Sequence, residues 1–171
     1  AGAMDTEAPG LSTLAADARE AARVMAGLDA AARAAALHAL RRELAASRDA
    51  IETANRLDKE AAKAAGLGAP LARRLDVEGP KFEDMLSKVD DVISISDPVG
   101  AVQLATKLDS GLNLYRVACP IGVLCVIFES RPEAAVQISA LALKSANAVI
   151  LKGGKEAAHT NAALVAAMRA H

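Results

Sequence analysis

Two short apolar runs, Val123 to Phe128 and Ala148 to Leu151, constrain this 171-residue chain more than any other feature, because of what lies between them. Both are rich in β-branched and aliphatic side chains, which predicts two short buried strands. Between them, Pro132 stands where a first helical turn tolerates proline. Ala135, Ile138, Ala142 and Ser145, flanked by Val136, Leu141 and Leu143, then recur at helical spacing from Glu133 to Ala146, so this helix should be mostly buried. Roughly 25 residues from one strand start to the next suit a right-handed crossover through one helix. The strands should therefore be parallel neighbours.

In an open parallel sheet, ligands collect beyond the carboxyl ends of the strands. Glu129-Ser130-Arg131 follows the first strand and Lys152-Gly153-Gly154-Lys155 follows the second, so both turns should line one shared edge. Helix starts at Pro132 and near Glu156 would add partial positive charge and free amides. With Arg131, Lys152 and Lys155 they favour an anionic ligand, phosphate above all. The competing reading is a set of solvated turn charges, in which Glu129, Glu133 and Glu156 simply pair with the cations.

Ahead of this unit the chain reads as helical. Leu14, Ala18, Ala21, Met25 and Leu28 follow helical spacing, Asp29 can cap a second helix carrying Leu37, Leu40 and Leu44, and Ser47 can cap a third through Ile51 and Ala54. Gly66 and Gly68 end that run. Pro70 can start a short helix to Leu75, and Lys81 to Val89 makes another before the Asp97-Pro98 turn. Ser94 to Gly100 reads as a hinge-like connector. Val102 to Ala118 alternates around Asp109-Ser110-Gly111, which predicts a β-hairpin.

An apolar content of 53% is enough for one core, but 2% aromatic residues and many alanines imply light packing. A net charge of −1 with no basic stripe and no aromatic interleaving excludes nucleic-acid binding. Two cysteines without a framework, no secretory leader and no apolar run near 20 residues point to a soluble protein of a reducing compartment, the cytoplasm, away from membranes. Cys119 and Cys125 read as buried or half-buried thiols rather than nucleophiles. His38, His159 and His171 lack metal-ligand spacing. Asn55 and Asp58 read as helix-packing or capping groups.

Several segments, in order, resemble the aldehyde dehydrogenase superfamily, and within it the gamma-glutamyl phosphate reductases, the glutamate-5-semialdehyde dehydrogenases of proline synthesis. They are IETANRLDKEAAKAAGL at Ile51 to Leu67, RRLDVEGPKFEDML at Arg73 to Leu86, DPVG at Asp97 to Gly100, PIGVLCVIFESRPE at Pro120 to Glu133 and NAVILKGGKE at Asn147 to Glu156. The resemblance implies an α/β, aldehyde dehydrogenase-like chain. Residues 1–10 would be a tail or tag remnant, 11–100 a helical amino-terminal region, 101–119 a hairpin that joins subunits into a homodimer, and 120–171 the opening βαβα part of a Rossmann-like NADP-binding domain.

Lys152 stands where the superfamily places a lysine that bonds the adenosine ribose, with Gly153 and Gly154 in the same turn. NAD-preferring relatives often carry a glutamate three residues on. Lys155 replaces it here, and a cation suits the 2′-phosphate of NADPH. Ordinary aldehyde dehydrogenases have an oxyanion-binding asparagine after the first strand. Anchoring on Pro132 sets Ser130 opposite it, whereas anchoring on Asn147 sets Glu129 there. The guanidinium of Arg131 suits phosphate or carboxylate, or pairs with Glu133 or Glu129. The implied reaction is NADPH-dependent reduction of L-glutamyl 5-phosphate to glutamate 5-semialdehyde and phosphate, through a thioester on a cysteine. That nucleophile, with the catalytic domain, is expected beyond residue 171, so the chain reads as an inactive amino-terminal fragment. Alternatives are a general NAD(P) aldehyde dehydrogenase, the reductase part of a bifunctional pyrroline-carboxylate synthase, and a non-enzymatic helical interaction module.

Overall fold

A computed structural model describes residues 10–170, so the tail expected at the amino terminus falls outside the described residues apart from Gly10. The helices are α1 (Leu11–Gly27), α2 (Ala30–Ala46), α3 (Arg48–Ala64), α4 (Ala69–Leu75) and α5 (Pro80–Ser94). A hairpin follows, β1 (Val102–Asp109) and β2 (Leu112–Val117), then β3 (Val123–Ile127), α6 (Glu133–Lys144), β4 (Ala148–Lys152), a single 3₁₀ turn at Lys155–Ala157 and α7 (Ala158–Met168).

Local chemistry explains most of these boundaries. The Asp29 carboxylate accepts from the Ala32 amide at 2.7 Å and caps α2 as its type predicts. Ser47 does not cap α3 with its side chain. Its backbone closes α2 instead, with its amide donating to the Glu43 and Ala45 carbonyls, and its φ of −91° and ψ of 9° lie outside the extended geometry a capping serine needs. Pro70 and Pro80 sit in the first turns of α4 and α5.

One core joins the front helices to the crossover. Leu37, Leu40 and Leu44 of α2, Ile51 of α3 and Phe82, Met85 and Val89 of α5 pack with Val136 and Ala140 of α6 and Leu164 of α7. A buried polar network fastens the same elements. Asn55 donates to the Leu75 carbonyl at 2.7 Å and to the Thr160 hydroxyl at 3.2 Å, and accepts from the Val77 amide at 3.2 Å. One turn further along α3, Asp58 accepts from the Thr160 amide at 2.7 Å and its hydroxyl at 2.6 Å, and from the His159 amide at 3.1 Å. Asp58 thus caps α7 from another helix, supplying what Ala157 at the N-cap cannot.

The Ser94–Gly100 connector is anchored. Asp97 bonds the buried Arg33 guanidinium at 2.5 Å and accepts the Val99 amide at 3.1 Å. The hairpin closes through Ser110 and Gly111, whose φ of 77° demands a glycine or an asparagine-like residue. Every residue of β1 and β2 is exposed on both faces.

Strands β3 and β4 are parallel and adjacent as expected, from Val123 beside Ala148 to Ile127 beside Lys152. Burial, however, differs from the sequence reading. Along β3, Val123, Cys125 and Ile127 are exposed and Leu124 and Val126 half-buried. Cys119 and Cys125 are both exposed, not buried. An apolar strand is buried on two faces only where elements cover both, and the second face of β3 has no cover among the described residues. Leu141 is likewise exposed, although α6 buries Ala135, Val136, Ala140 and Ala142.

Candidate functional site

The register sets Ile127 beside Lys152, so the two turns leave the sheet at one edge. The Phe128 amide donates to the Lys152 carbonyl at 3.0 Å and extends the pairing up to that edge. Ser130 then turns left-handed with φ of 51° and is buried. That conformation is uncommon for a residue with a Cβ.

What holds Ser130 there is Glu156, from the second turn. Its Oε1 accepts the Ser130 amide at 2.5 Å and the Ser130 hydroxyl at 3.0 Å. The carboxyl is kept below the usual glutamate range, first by its own backbone amide, then by the Ser130 amide and hydroxyl and the charge of Lys152, while partial burial pushes the other way. A carboxylate of the chain itself therefore takes the Ser130 amide, a donor an external anion could otherwise have used.

Glu129, Arg131, Lys152 and Lys155 are exposed around this clasp. Arg131 Nε lies 3.2 Å from Glu133 Oε1, one of the pairings the sequence leaves open. Gly153 and Gly154 have internal reasons for lacking a side chain. A Cβ on Gly153 would lie 2.3 Å from Asn161 Nδ2 and 3.3 Å from Phe128 Cζ, and one on Gly154 would lie 2.1 Å from Glu156 Oε1.

A cleft of about 500 Å³ adjoins this edge. Arg131 and Glu133 form one side, and Arg73, Arg74 and Lys81, from α4 and the start of α5, the other. Sequence reasoning did not bring these cations together, because only the chain's path from Leu75 to Pro80 carries α4 toward the β3–α6 turn. It also missed the Glu156 clasp, since Glu156 read as a counter-ion for lysines. Among the described residues, no group of His, Cys, Asp and Glu side chains could hold a metal ion, and no helix is long and apolar enough to cross a membrane.

No family model matches the chain. Gamma-glutamyl phosphate reductase from Cyanothece sp. is 50% identical over 158 residues, which is 92% of this chain and 36% of that protein. The crystal structure of the Saccharomyces cerevisiae gamma-glutamyl phosphate reductase superposes with a TM-score of 0.90 at 42% identity, over 96% of this chain and 42% of the other. A Bacillus subtilis protein provisionally described as an aldehyde dehydrogenase shares the fold alone, with a TM-score of 0.67 and 18% identity over 92% of this chain and 33% of the other. The chain thus spans little more than a third of the length of its curated relatives, and across that span it is homologous to the gamma-glutamyl phosphate reductases.

Proposed function

We propose that this chain forms part of an enzyme that reduces L-glutamyl 5-phosphate to L-glutamate 5-semialdehyde with release of phosphate, using NADPH. The observation that carries this reading is the parallel register that brings Lys152 and the Ser130-Arg131 turn to one sheet edge, in a chain half identical to a reductase. Lys152 and Lys155 stand exposed on either side of Gly153-Gly154, which suits the ribose and 2′-phosphate of a dinucleotide. Because Glu156 occupies the Ser130 amide, anion binding at this edge falls to the lysines and Arg131. When bound, the dinucleotide supplies the hydride. The chain's own residues bind and orient: Lys152 the adenosine ribose, Lys155 the phosphate, and Arg131 the acyl phosphate. Glu129 and Ser130 frame the reacting carbonyl.

The exposed hairpin fits a second proposal, association with a like subunit. Val102, Leu104, Leu108, Leu114 and Tyr115 are large, mainly apolar side chains left exposed among the described residues. We place the enzyme in the cytoplasm, consistent with two free cysteines.

The test is a polypeptide extended to the relatives' length, assayed in reverse for phosphate-dependent NADP reduction by glutamate semialdehyde. A folded product with no turnover would reject the reading. In the same polypeptide, Lys155→Glu should shift preference from NADPH toward NADH, and an unchanged ratio would reject the role of Lys155.

A further inference from the structure

We propose that the cleft between α4, α5 and the β3–α6 turn binds the head of an acidic α-amino acid, with Arg73 and Arg74 taking its carboxylate. The inference rests on the functional reading above for the ligand's place in a reaction, and on the cleft alone for its chemistry. The cleft holds about 500 Å³, within the range of small-molecule sites and ample for one amino acid with some water.

Its charges are mixed but unevenly engaged. Asp76 is already bonded to Lys59 at 2.8 Å with Lys81 at 3.6 Å, Asp84 is bonded to Lys88 at 2.7 Å, and Glu133 to Arg131 at 3.2 Å. Arg73 and Arg74 have no ion-pair partner among the described residues, although they adjoin each other on the last turn of α4. Guanidinium groups pair bidentately with carboxylates, so two free ones in a cleft form a receptor for such a group. The helix end favours cations there and does not neutralise them.

Four cations against three carboxylates leave the lining with a small positive excess. A ligand carrying both signs with one extra negative charge complements it: an ammonium for Glu133, whose Oε2 has no hydrogen-bond partner among the described residues, a carboxylate for the arginines, and a second anionic group. Arg131 belongs to both the cleft and the sheet edge, and it meets Glu133 through Nε, which leaves its terminal nitrogens for that second group. An acidic amino acid, or its acyl phosphate, would thus lie with its head against α4 and its reactive end toward the edge where the two turns meet.

The experiment follows arginine Nε–Hε signals of this chain by NMR during titration with L-glutamate, with glutarate, which lacks the ammonium, and with sodium chloride at matched ionic strength. Glutamate should shift the Arg73, Arg74 and Arg131 signals in a saturable way and leave Arg169, remote from the cleft, unmoved. Glutarate should bind several-fold more weakly. Arg73→Ala/Arg74→Ala should abolish saturation while the amide spectrum of the core is retained. In a polypeptide of the relatives' length the same double substitution should raise KM for the amino-acid substrate tenfold or more with kcat little changed. Shifts matched by sodium chloride, or a KM untouched by the substitution, would overturn the site. Saturable glutamate binding without turnover would keep the site and sink the reductase reading, whereas turnover with a silent cleft would do the opposite.

Discussion

At the residue scale, two carboxylates do what a sequence pattern cannot display. Asp58 is nearly inaccessible and accepts from two amides, a hydroxyl and the His159 ring nitrogen at 2.7 Å. Asp58→Ala leaves the start of α7 without these acceptors and should cost about 3 kcal/mol, read as a lower urea midpoint with an unchanged slope. Glu156 makes a different prediction, about pH. Its carboxyl is held below its ordinary value in the folded chain, so the clasp contributes stability in full above the unfolded-state pKa and loses it as pH falls through the folded one. The Ser130 amide signal should therefore titrate with a midpoint below the usual glutamate range, and Glu156→Gln should remove that inflection. A midpoint at the ordinary value would show that the contact at 2.5 Å does not persist in solution.

At the element scale, the glycine turn after β4 packs closely against α7. Gly153→Ala would place a methyl 2.3 Å from Asn161 Nδ2 and 3.3 Å from Phe128 Cζ, so the asparagine side chain must swing out of its place and the phenyl ring give slightly. We expect a loss of about 1–2 kcal/mol by thermal unfolding. Asn161→Ala should recover most of it in the double variant, and additive losses would contradict the steric account. The hairpin carries an association prediction: in a polypeptide of the relatives' length, Leu114→Lys should lower the mass seen by light scattering. Such elements were legible because their signals are local: prolines at helix starts, an Asp29 cap, alternation on either side of Ser110-Gly111, and two apolar runs flanking a helical period. Burial was not legible. Cys125 looked buried because its neighbours are apolar, yet its exposure depends on what lies opposite β3 in space. Nor could Arg73 be linked to Arg131 or Asp58 to Thr160, since separation along the chain says nothing about which helix ends meet.

At the scale of the whole molecule, the question is whether the helical front and the strand-bearing part fold as one. Composition implies light packing, because alanine-rich helices bury little area each, and a lightly packed core need not be continuous. The packing says otherwise: Phe82 and Val89 of α5 share a core with Val136 and Ala140 of the crossover helix, and Asn55 and Asp58 of α3 hold α7. Phe82 is fully buried in this shared core, beneath the Arg48 guanidinium at 5.0 Å from its ring centroid. Phe82→Ala should thus cost about 3–5 kcal/mol, through lost burial and a residual cavity. Its reach discriminates further. If the core is continuous, the substitution should lower by the same amount the denaturant midpoint of the helical circular dichroism signal and that of the β3 and β4 amide signals. Two midpoints, with the strand signals unmoved, would mean that the parallel pair with α6 and α7 is stable without α5, and that a folding boundary lies near residue 120.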